Sequence, residues 1–540
     1  MISTLLKKYK QNIRLAAKQF KRYRQPLFKI NLMKKIFFLA IAIVSMTFVN
    51  AQSSKTKILS REFWKENPDL TAVKAALNGF KFADVKNGDD PLSLAINNDA
   101  SIEVIKYLAD QPGIDFQRNI REGRTYLHSA ASKPNAEAVD YLLQKGADMN
   151  FLCHHDQTAL TFAGFSGTVN LPVIKAFEKH GLDLKKKYPA KNDANILLLA
   201  VGSDTDFSIT NYLISKGISI QSVDNKGNNA FDYAVKYGKV SVLKKLVEKG
   251  VKYSDKDLIF AAQGAFRKAN KIDVFQYLTE NLKIKPTVTS ESGDNVLHYI
   301  VAKNNQDDII TYFINKNVDI NQENKEGNTP FMNAAGGKSF EVVEMMLPKV
   351  KNINAVNVKG ESALLNAVKS GSPKSVDLLL SKGADLKIKD KEGNDLAYHL
   401  VESYRPASGG FGGENTSTDS AKPKQDDFGD KLKSLQNAGL DVNAPQKYGN
   451  TLYHLAIAKN DLDILKKLAP LKIDVNAKNK DGLTVLHKAA MVSKNDEILK
   501  YLISIGAKKE ISTSFNENAY ALAKENETLT KNNVSVEFLK

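Results

Sequence analysis

The stretch 479–507, NKDGLTVLHKAAMVSKNDEILKYLISIGA, has the pattern of one supersecondary unit whose apolar residues cannot be buried without neighbours. The dipeptide Asp481-Gly482 indicates a tight turn, and Thr484 is placed to cap a short helix. A second helix is predicted after Asn495, with its apolar residues on a single face, and a glycine ends it. Helices of about eight to ten residues are shorter than the roughly 12–15 needed for marginal stability alone. The unit therefore requires copies of itself to pack against.

Copies of this unit recur along the chain, mostly at steps of 33–37 residues. They align on a small or apolar residue of the first helix, at Ala95, Ala130, Ala163, Ala200, Ala234, Ile300, Ala334, Ala367, Leu400, Ala456, Ala489 and Ala523. The step from Ala234 to Ile300 is 66 residues, or two periods, so a further copy is predicted within 255–282. That copy lacks the glycine-containing hairpin, and we interpret it as a seam at which the array can bend.

A short box marks the start of several first helices, as in Thr125-Tyr-Leu-His128-Ser-Ala, with close copies at 451–456 and 484–489. With a period near 33 residues, the chain resembles the ankyrin-repeat family over about residues 60–523. The resemblance implies an all-α solenoid of about 12–13 helix–turn–helix repeats with short β-hairpin connections. It also implies that the box residues bond to backbone groups and are structural: His128, His298, His454, His487, Thr125, Thr329, Thr451 and Thr484.

The repeats define the predicted organisation of the chain. We expect Trp64 to lie in the core of an N-terminal cap, and the almost apolar-free segment 408–425 to be a flexible insert. The predicted segments are a basic extension (1–32), a signal peptide (33–51), N-terminal repeats with their cap (58–254), the hairpin-poor seam (255–282), C-terminal repeats containing the insert (283–523) and a polar tail that frays (524–540).

The net charge of +17 by itself suggests a polyanionic partner, but its distribution argues otherwise. Eleven of the 77 basic residues and none of the 60 acidic ones lie in 1–51, which leaves 66 against 60 in the rest. Within the basic part, Met33-Lys34-Lys35, the apolar run 36–49 and a small-residue site before Gln52 form the pattern of a secretory signal. We therefore expect cleavage after Ala51 and a periplasmic or secreted protein, and either Met1 or Met33 is the start.

Two alternatives to a simple scaffold remain open. The cluster Cys153, His154 and His155 is the densest group of metal-capable side chains, and it would support a metal-binding or enzymatic protein. The run 36–49, if it were not cleaved, would make the chain a membrane-anchored structural protein. A single cysteine cannot form an intramolecular disulfide, so an exported fold of this kind must be stable through packing alone.

The predicted function is that of a non-enzymatic scaffold that binds another protein through the hairpin tips and the concave face of the array. We expect no cofactor, no nucleic-acid partner, no membrane span after signal cleavage, and a monomer. The candidate partner-binding residues at the tips are Asp156, Gln157, Asn225, Lys226, Asp294, Lys325, Glu326, Lys359, Glu361, Lys391, Glu392, Lys447, Tyr448, Lys480 and Asp481.

Overall fold

The computed structural model describes residues 57–85, 88–265, 268–405 and 427–540. These residues fall into two compact units that divide between Gly227 and Asn228. The predicted extension, signal peptide and insert 408–425 all lie outside the described residues. Both units are built mainly from short helices arranged in consecutive pairs.

The first unit contains ten α-helices within its described residues. They are α1 (Arg61–Lys65), α2 (Leu70–Leu77), α3 (Pro91–Asn97), α4 (Ile102–Ala109), α5 (Tyr126–Ser132), α6 (Ala136–Gln144), α7 (Ala159–Ser166), α8 (Leu171–Lys179), α9 (Ile196–Ala200) and α10 (Ser208–Ser215). Two short strands, β1 (Lys187–Tyr188) and β2 (Ala194–Asn195), pair antiparallel before α9. Single 3-10 turns occupy Phe82–Asp84 and Pro189–Lys191.

The second unit continues the pattern to the end of the chain. Its helices are α11 (Ala230–Val235), α12 (Val240–Glu248), α13 (Lys256–Gln263), α14 (Ile272–Gln276), α15 (Val296–Ile300), α16 (Asp307–Asn315), α17 (Pro330–Ala335), α18 (Phe340–Met346), α19 (Ala363–Ser370), α20 (Pro373–Ser381), α21 (Leu396–Ser403), α22 (Asp427–Asn437), α23 (Leu452–Ile457), α24 (Leu462–Leu468), α25 (Val485–Val492), α26 (Glu497–Ser504), α27 (Ala519–Glu525) and α28 (Glu527–Lys531). A π-helical turn extends α14 over Tyr277–Asn281, and 3-10 turns lie at Leu347–Lys349, Lys447–Gly449, Ala469–Leu471 and Glu537–Leu539.

Helix ends follow local capping chemistry. Thr484 caps α25, as expected, by accepting a hydrogen bond from the His487 N–H at 3.4 Å. The cap of α26 is Asp496, one residue later than predicted, while Asn495 Oδ1 accepts from the Glu497 N–H at 3.2 Å. Helix α26 ends before Gly506, whose φ of 99° is a conformation that glycine adopts without strain.

The core of each unit lies between the helix pairs. In the first unit α5 packs on α7 and α6 packs on α8, so first and second helices form separate layers. Leu108, Leu142, Phe177 and Leu213 occupy successive second helices and are fully buried. Burying side chains of this size contributes about 2 kcal/mol each, and these contacts cross from each pair to the next. The cap follows the same rule, because Trp64 is only 1% exposed and its Nε1–H donates to the Ile58 carbonyl.

Second helices are also joined by a recurring surface triad of acid, tyrosine and lysine. The Tyr141 hydroxyl donates to Asp110 at 2.7 Å, and Lys145 Nζ lies 2.7 Å from the same carboxylate. These contacts, with the lysine bond the larger cause, hold the pKa of Asp110 below its ordinary value. Equivalent triads are Glu178–Tyr212–Lys216 and Glu280–Tyr312–Lys316.

Two segments of the second unit depart from the regular repeat. Between α12 and α13, residues 249–255 contain no hairpin. Helix α22, which follows the insert, packs on α20 and carries a buried lysine. Lys431 Nζ donates to the Val368 carbonyl at 3.0 Å, and burial lowers the pKa of this amine to about 8.

The predicted polar tail is a packed end of the array, so that prediction is wrong. Asn526 donates from its side chain to the Ala490 and Ser493 carbonyls, both at 3.0 Å, and caps α28. Leu529 and Leu539 are then buried, at 1% and 0% exposure. Helix α28 and the final turn, Glu537–Leu539, both pack on α27. Across the described ranges, no helix combines the length and the apolar character needed to cross a bilayer.

Candidate binding surface

Box histidines anchor four of the first helices to the following hairpin or turn. The Thr484 N–H donates to His487 Nδ1 at 3.0 Å, and His487 Nε2 lies 2.8 Å from the Ile511 carbonyl oxygen. Because an N–H can only donate and a carbonyl can only accept, the ring is neutral with its proton on Nε2. His128, His298 and His454 make the same pair of contacts, with carbonyls at 2.9–3.0 Å. Burial is the largest influence on all four rings and lowers their pKa.

Hairpin tips are tied to one another by backbone hydrogen bonds. In the second unit, the Val358 N–H donates to the Glu326 carbonyl and the Lys391 N–H donates to the Lys359 carbonyl, both at 2.8 Å. Side chains add to this ladder, since Asn357 Nδ2 donates to Asn328 Oδ1 at 2.8 Å. In the first unit, the His154 N–H donates to the Glu122 carbonyl at 2.9 Å.

Most of the candidate tip residues present their side chains to solvent. Twelve are exposed, namely Asp156, Asn225, Lys226, Lys325, Glu326, Lys359, Lys391, Glu392, Lys447, Tyr448, Lys480 and Asp481. Asp294 and Glu361 are half-buried, because they pair within the ladder with Asn324 and Lys369. Gln157 is only 3% exposed, so the expectation that it is a tip contact is wrong. Its carbonyl accepts from Cys153 and His128, which draws the residue under the turn.

The cluster at 153–155 does not converge. Cys153 is buried at 3% exposure, whereas His154 and His155 point to solvent. His155 Nε2 lies 3.6 Å from the Glu122 carboxylate, an exposed contact. In the part of the chain that the structure describes, no three His, Cys, Asp or Glu side chains are grouped so as to hold a metal ion.

A groove on the first unit was not predicted from the sequence. It has a volume of about 590 Å³ and lies beside the cap helix α1, the first helices α3, α5 and α7, and the hairpin before α5. Leu94, Ile120 and Phe162 supply its apolar lining, and Asp89 is its one acidic lining residue. Its basic lining residues are Arg61, Lys65, Arg121 and Arg124. The lining residues run from Arg61 to Ser166, 105 positions apart, but the segment RNIREGR at 118–124 is a local signal that could have indicated the groove.

The arginines of this hairpin are held in different ways. Arg118 is largely buried, and its guanidinium lies 2.6 Å from Asp90 and 5.8 Å from the Tyr126 ring centre. Arg121 and Arg124 are more exposed and pair with Asp89 at 3.1 Å and with Glu122 at 3.2 Å. Arg124 also lies 5.2 Å from the centre of the Phe162 ring, a cation–π distance.

A buried pair of carboxylates replaces the box histidine at the hairpin-poor copy. Asp232 and Asp257 each accept their capping N–H at 2.7 Å, as the histidines do. Lys256 Nζ lies 3.2 Å from Asp232 Oδ1, while Asp257 Oδ1 has no hydrogen-bond partner. Burial, and then the charge of Asp232, raise the pKa of Asp257 to about 8. Burial and the neighbouring carboxylate therefore favour the protonated form of Asp257.

Comparison with known sequences decides the family. A family model described as ankyrin repeats (3 copies) matches residues 64–153, 258–355, 297–390 and 421–513, together more than half of the chain. The chain belongs to the ankyrin-repeat family. The predicted resemblance and the all-α ankyrin solenoid are thereby confirmed, and ankyrin repeats serve as protein–protein interaction scaffolds.

Relatives share limited parts of the ankyrin array. The fowlpox virus ankyrin repeat protein FPV244 is 31% identical over 138 residues, which cover 25% of this chain and 19% of its own. The ankyrin repeat protein L271 of Acanthamoeba polyphaga mimivirus is 26% identical over 155 residues, 26% of this chain and 21% of its own. Fowlpox virus FPV223 is 30% identical over 125 residues, covering 23% and 84%. The chain thus spans about a fifth of the length of the first two.

Two solved structures also resemble parts of the chain. The ankyrin repeat domain of Bcl-3 superposes with a TM-score of 0.33 and 20% identity, covering 44% of this chain and 98% of that one. The second match is a chain from the complex of the Bdellovibrio bacteriovorus predatory endopeptidase Bd0816 with the immunity protein Bd3460. Its TM-score is 0.29 at 24% identity, and it covers 37% of this chain and 96% of that one.

Proposed function

We propose that this chain is a non-enzymatic scaffold, exported from the cytoplasm, that recognises a partner protein through its hairpin tips and the concave face of its repeats. The observation that carries the proposal is that different side chains hold the hairpins and face the solvent at their tips. Box histidines and the backbone ladder hold the hairpins, so the exposed tip side chains are not needed to maintain the fold. A rigid row of variable side chains is the arrangement that repeat proteins use for binding.

The binding part is tested by capture from the native host with the full chain as bait. We expect a partner that is retained by wild type and lost when tip side chains are removed from one unit. The variants are Asn225→Ala with Lys226→Ala in the first unit, and Lys359→Ala with Lys391→Ala in the second. A partner retained equally by both double variants, and by the two combined, would contradict binding through these tips.

The export part has its own experiment. The protein is purified from the native host, fractionated, and sequenced from its amino terminus. Export predicts a protein outside the cytoplasm that begins at Gln52. A cytoplasmic protein that retains residues 33–51 would contradict it without affecting the binding proposal.

A further inference from the structure

The groove on the first unit has a chemistry that specifies its occupant more closely. Four of its lining side chains are basic, one is acidic, and three are apolar. Asn97, Asn98, Ser129, Ser132 and Ser166 supply further hydrogen-bonding groups around its edge. A site with this combination favours a ligand that is anionic and partly apolar.

Arginine usage in the chain supports the same conclusion. After residue 51 there are only six arginines, against 60 lysines, and they are Arg61, Arg118, Arg121, Arg124, Arg267 and Arg405. Three of the six line this groove, and Arg118 braces the hairpin that presents two of them. Arginine differs from lysine in offering a planar fork that binds a carboxylate through two parallel hydrogen bonds. A lysine-rich chain that places its few arginines here is suited to carboxylate recognition.

Two of these arginines are positioned for an incoming carboxylate. The side chain of Arg121 is 53% exposed, and its contact with Asp89 is the kind of surface pair that contributes little to stability. Arg124 is better ordered, because its Nε–H donates to the Arg121 carbonyl at 3.3 Å and its guanidinium faces the Phe162 ring. Holding a guanidinium in place before binding reduces the entropy lost on binding.

We propose that the groove formed by Arg61, Lys65, Arg121, Arg124 and Phe162 binds an acidic segment of a partner protein, with carboxylates at Arg121 and Arg124 and an apolar side chain beside Phe162. The inference rests on the proposed binding function and names the chemistry of the ligand. Inorganic polyphosphate fits less well, because it has no apolar group to place against Leu94, Ile120 and Phe162, and binding of a nucleic acid is an outcome of the test.

The test measures binding of a labelled synthetic peptide of Asp and Glu with one central Leu to the full-length chain. A peptide of Asn and Gln with the same Leu, a single-stranded oligonucleotide and inorganic polyphosphate serve as comparison ligands. The groove variant is Arg121→Gln with Arg124→Gln, and Lys65→Gln is a second, milder variant on the cap helix. The matched control, Lys382→Gln with Lys466→Gln, removes two exposed charges from second helices of the second unit, outside the candidate tips. All variants retain residues 1–51, so any binding to that basic segment is common to them.

We expect the acidic peptide to bind more tightly than the uncharged one and to lose about tenfold in affinity in the groove variant. The control should retain wild-type affinity, and Lys65→Gln should fall between the two. Equal affinity in the groove and control variants, or no preference for the acidic peptide, would overturn the proposal. Tighter, groove-dependent binding of the oligonucleotide or polyphosphate would also overturn it in favour of a phosphate ligand. If a captured partner depends on Lys359 and Lys391 but not on the groove, this inference fails and the proposed scaffold function stands.

Discussion

At the scale of single residues, one position of the repeat carries two different chemistries. In four copies a histidine spans from its own helix cap to the next hairpin, and both ring nitrogens are used. At Asp232 and Asp257, on either side of the missing hairpin at 249–255, the carboxyl group accepts a capping N–H and makes no bond to a hairpin carbonyl. At equivalent positions of the repeat, the histidines are therefore expected to lose stability in acid and Asp257 is expected to lose stability in base.

Replacing Asp257 by Asn should stabilise the protein increasingly as pH rises. The folded pKa of about 8 lies above the unfolded value of 3.8, so the protonated carboxyl contributes stability below pH 3.8 that is lost as pH rises to about 8. An amide keeps the neutral form's shape and does not titrate. We expect the variant to gain at least about 2 kcal/mol over wild type between about pH 5 and pH 9. Urea unfolding at both pH values measures it.

Asp255→Asn is the matched control, because Asp255 is exposed at the same helix start. It should show no comparable gain. A pH-independent difference between Asp257→Asn and wild type would contradict the assignment of a protonated Asp257.

Replacing His487 by Ala should destabilise the protein by about 1–3 kcal/mol, because the Ile511 carbonyl and the Thr484 N–H lose their partners. Burial lowers the folded pKa of His487, so its contribution is complete above the unfolded value of 6.5 and is lost as pH falls below it. The cost of the substitution should therefore shrink in acid. Denaturant unfolding at neutral and acid pH measures it, and the exposed His155→Ala variant is the control. An equal cost for the two variants would be the contrary result.

At the scale of the element, the hairpins combine left-handed glycine turns with a shared ladder of backbone hydrogen bonds. Gly360 and Gly393 stand at equivalent turn positions with φ of 77° and 84°. A Cβ at Gly360 would lie 2.9 Å from the Lys391 backbone nitrogen, whereas at Gly393 nothing lies within 4 Å. Comparing substitutions at the two glycines therefore separates the cost of the left-handed conformation from the cost of the tip-to-tip contact.

Gly360→Ala should destabilise more than Gly393→Ala. Both alanines pay about 1–2 kcal/mol for a left-handed conformation, and only the first displaces the Lys391–Lys359 hydrogen bond. We expect a further loss of about 1–2 kcal/mol for Gly360→Ala. The comparison is made by denaturant unfolding of the two variants side by side. Equal unfolding midpoints for the two variants would mean that the hydrogen bond between the tips contributes no measurable stability.

Helix pairs, hairpins and box residues could be predicted from the sequence because the copies repeat the same apolar spacing. The errors concern residues whose environment depends on contacts outside that repeating pattern. Gln157 is buried because a neighbouring histidine, 29 residues earlier, binds its carbonyl. The packing of 524–540 depends on only a few apolar residues, including Leu529 and Leu539, in a polar background. The triads and the groove join residues from different repeats, so no single local pattern contains all of them, although the segment 118–124 marks part of the groove. Contacts that recur in the repeat could be predicted, and contacts particular to a few repeats could not.

At the scale of the whole molecule, the described chain consists of two compact units, 57–227 and 228–540. From the sequence, we interpret the copy without a hairpin, 255–282, as a seam in the array. The compact units divide earlier, and where unfolding separates them stays a prediction. In repeat proteins each repeat contacts only its neighbours, so cooperativity is limited by the weakest junction.

Unfolding should proceed in two steps that single substitutions move separately. Trp64, the one tryptophan, lies in the first unit, so its fluorescence reports that unit while circular dichroism reports both. Leu213→Ala should lower the fluorescence midpoint, because core truncations of this kind cost about 2–5 kcal/mol. Leu379→Ala should leave fluorescence unchanged and shift only the dichroism. If both variants move both signals together, the molecule is one cooperative unit.

Leu246→Ala distinguishes the two positions for the junction. Leu246 is fully buried in α12, after the division at 227 and before the copy at 255–282. A junction at 227 predicts that this variant behaves like Leu379→Ala. A junction at 255–282 predicts that it lowers the Trp64 midpoint.

The one sulfhydryl of the chain, at Cys153, allows local opening of the first unit to be measured by chemical labelling. The thiol is 3% exposed and its backbone N–H is bonded to Gln157, so a bulky alkylating reagent reaches it only when that turn opens. The rate of alkylation in native buffer is then the rate or population of that opening, recorded without mutation or added probe. A ligand that occupies the neighbouring groove and stabilises its hairpin would slow the alkylation of Cys153. One labelling experiment would then report both ligand binding and local opening.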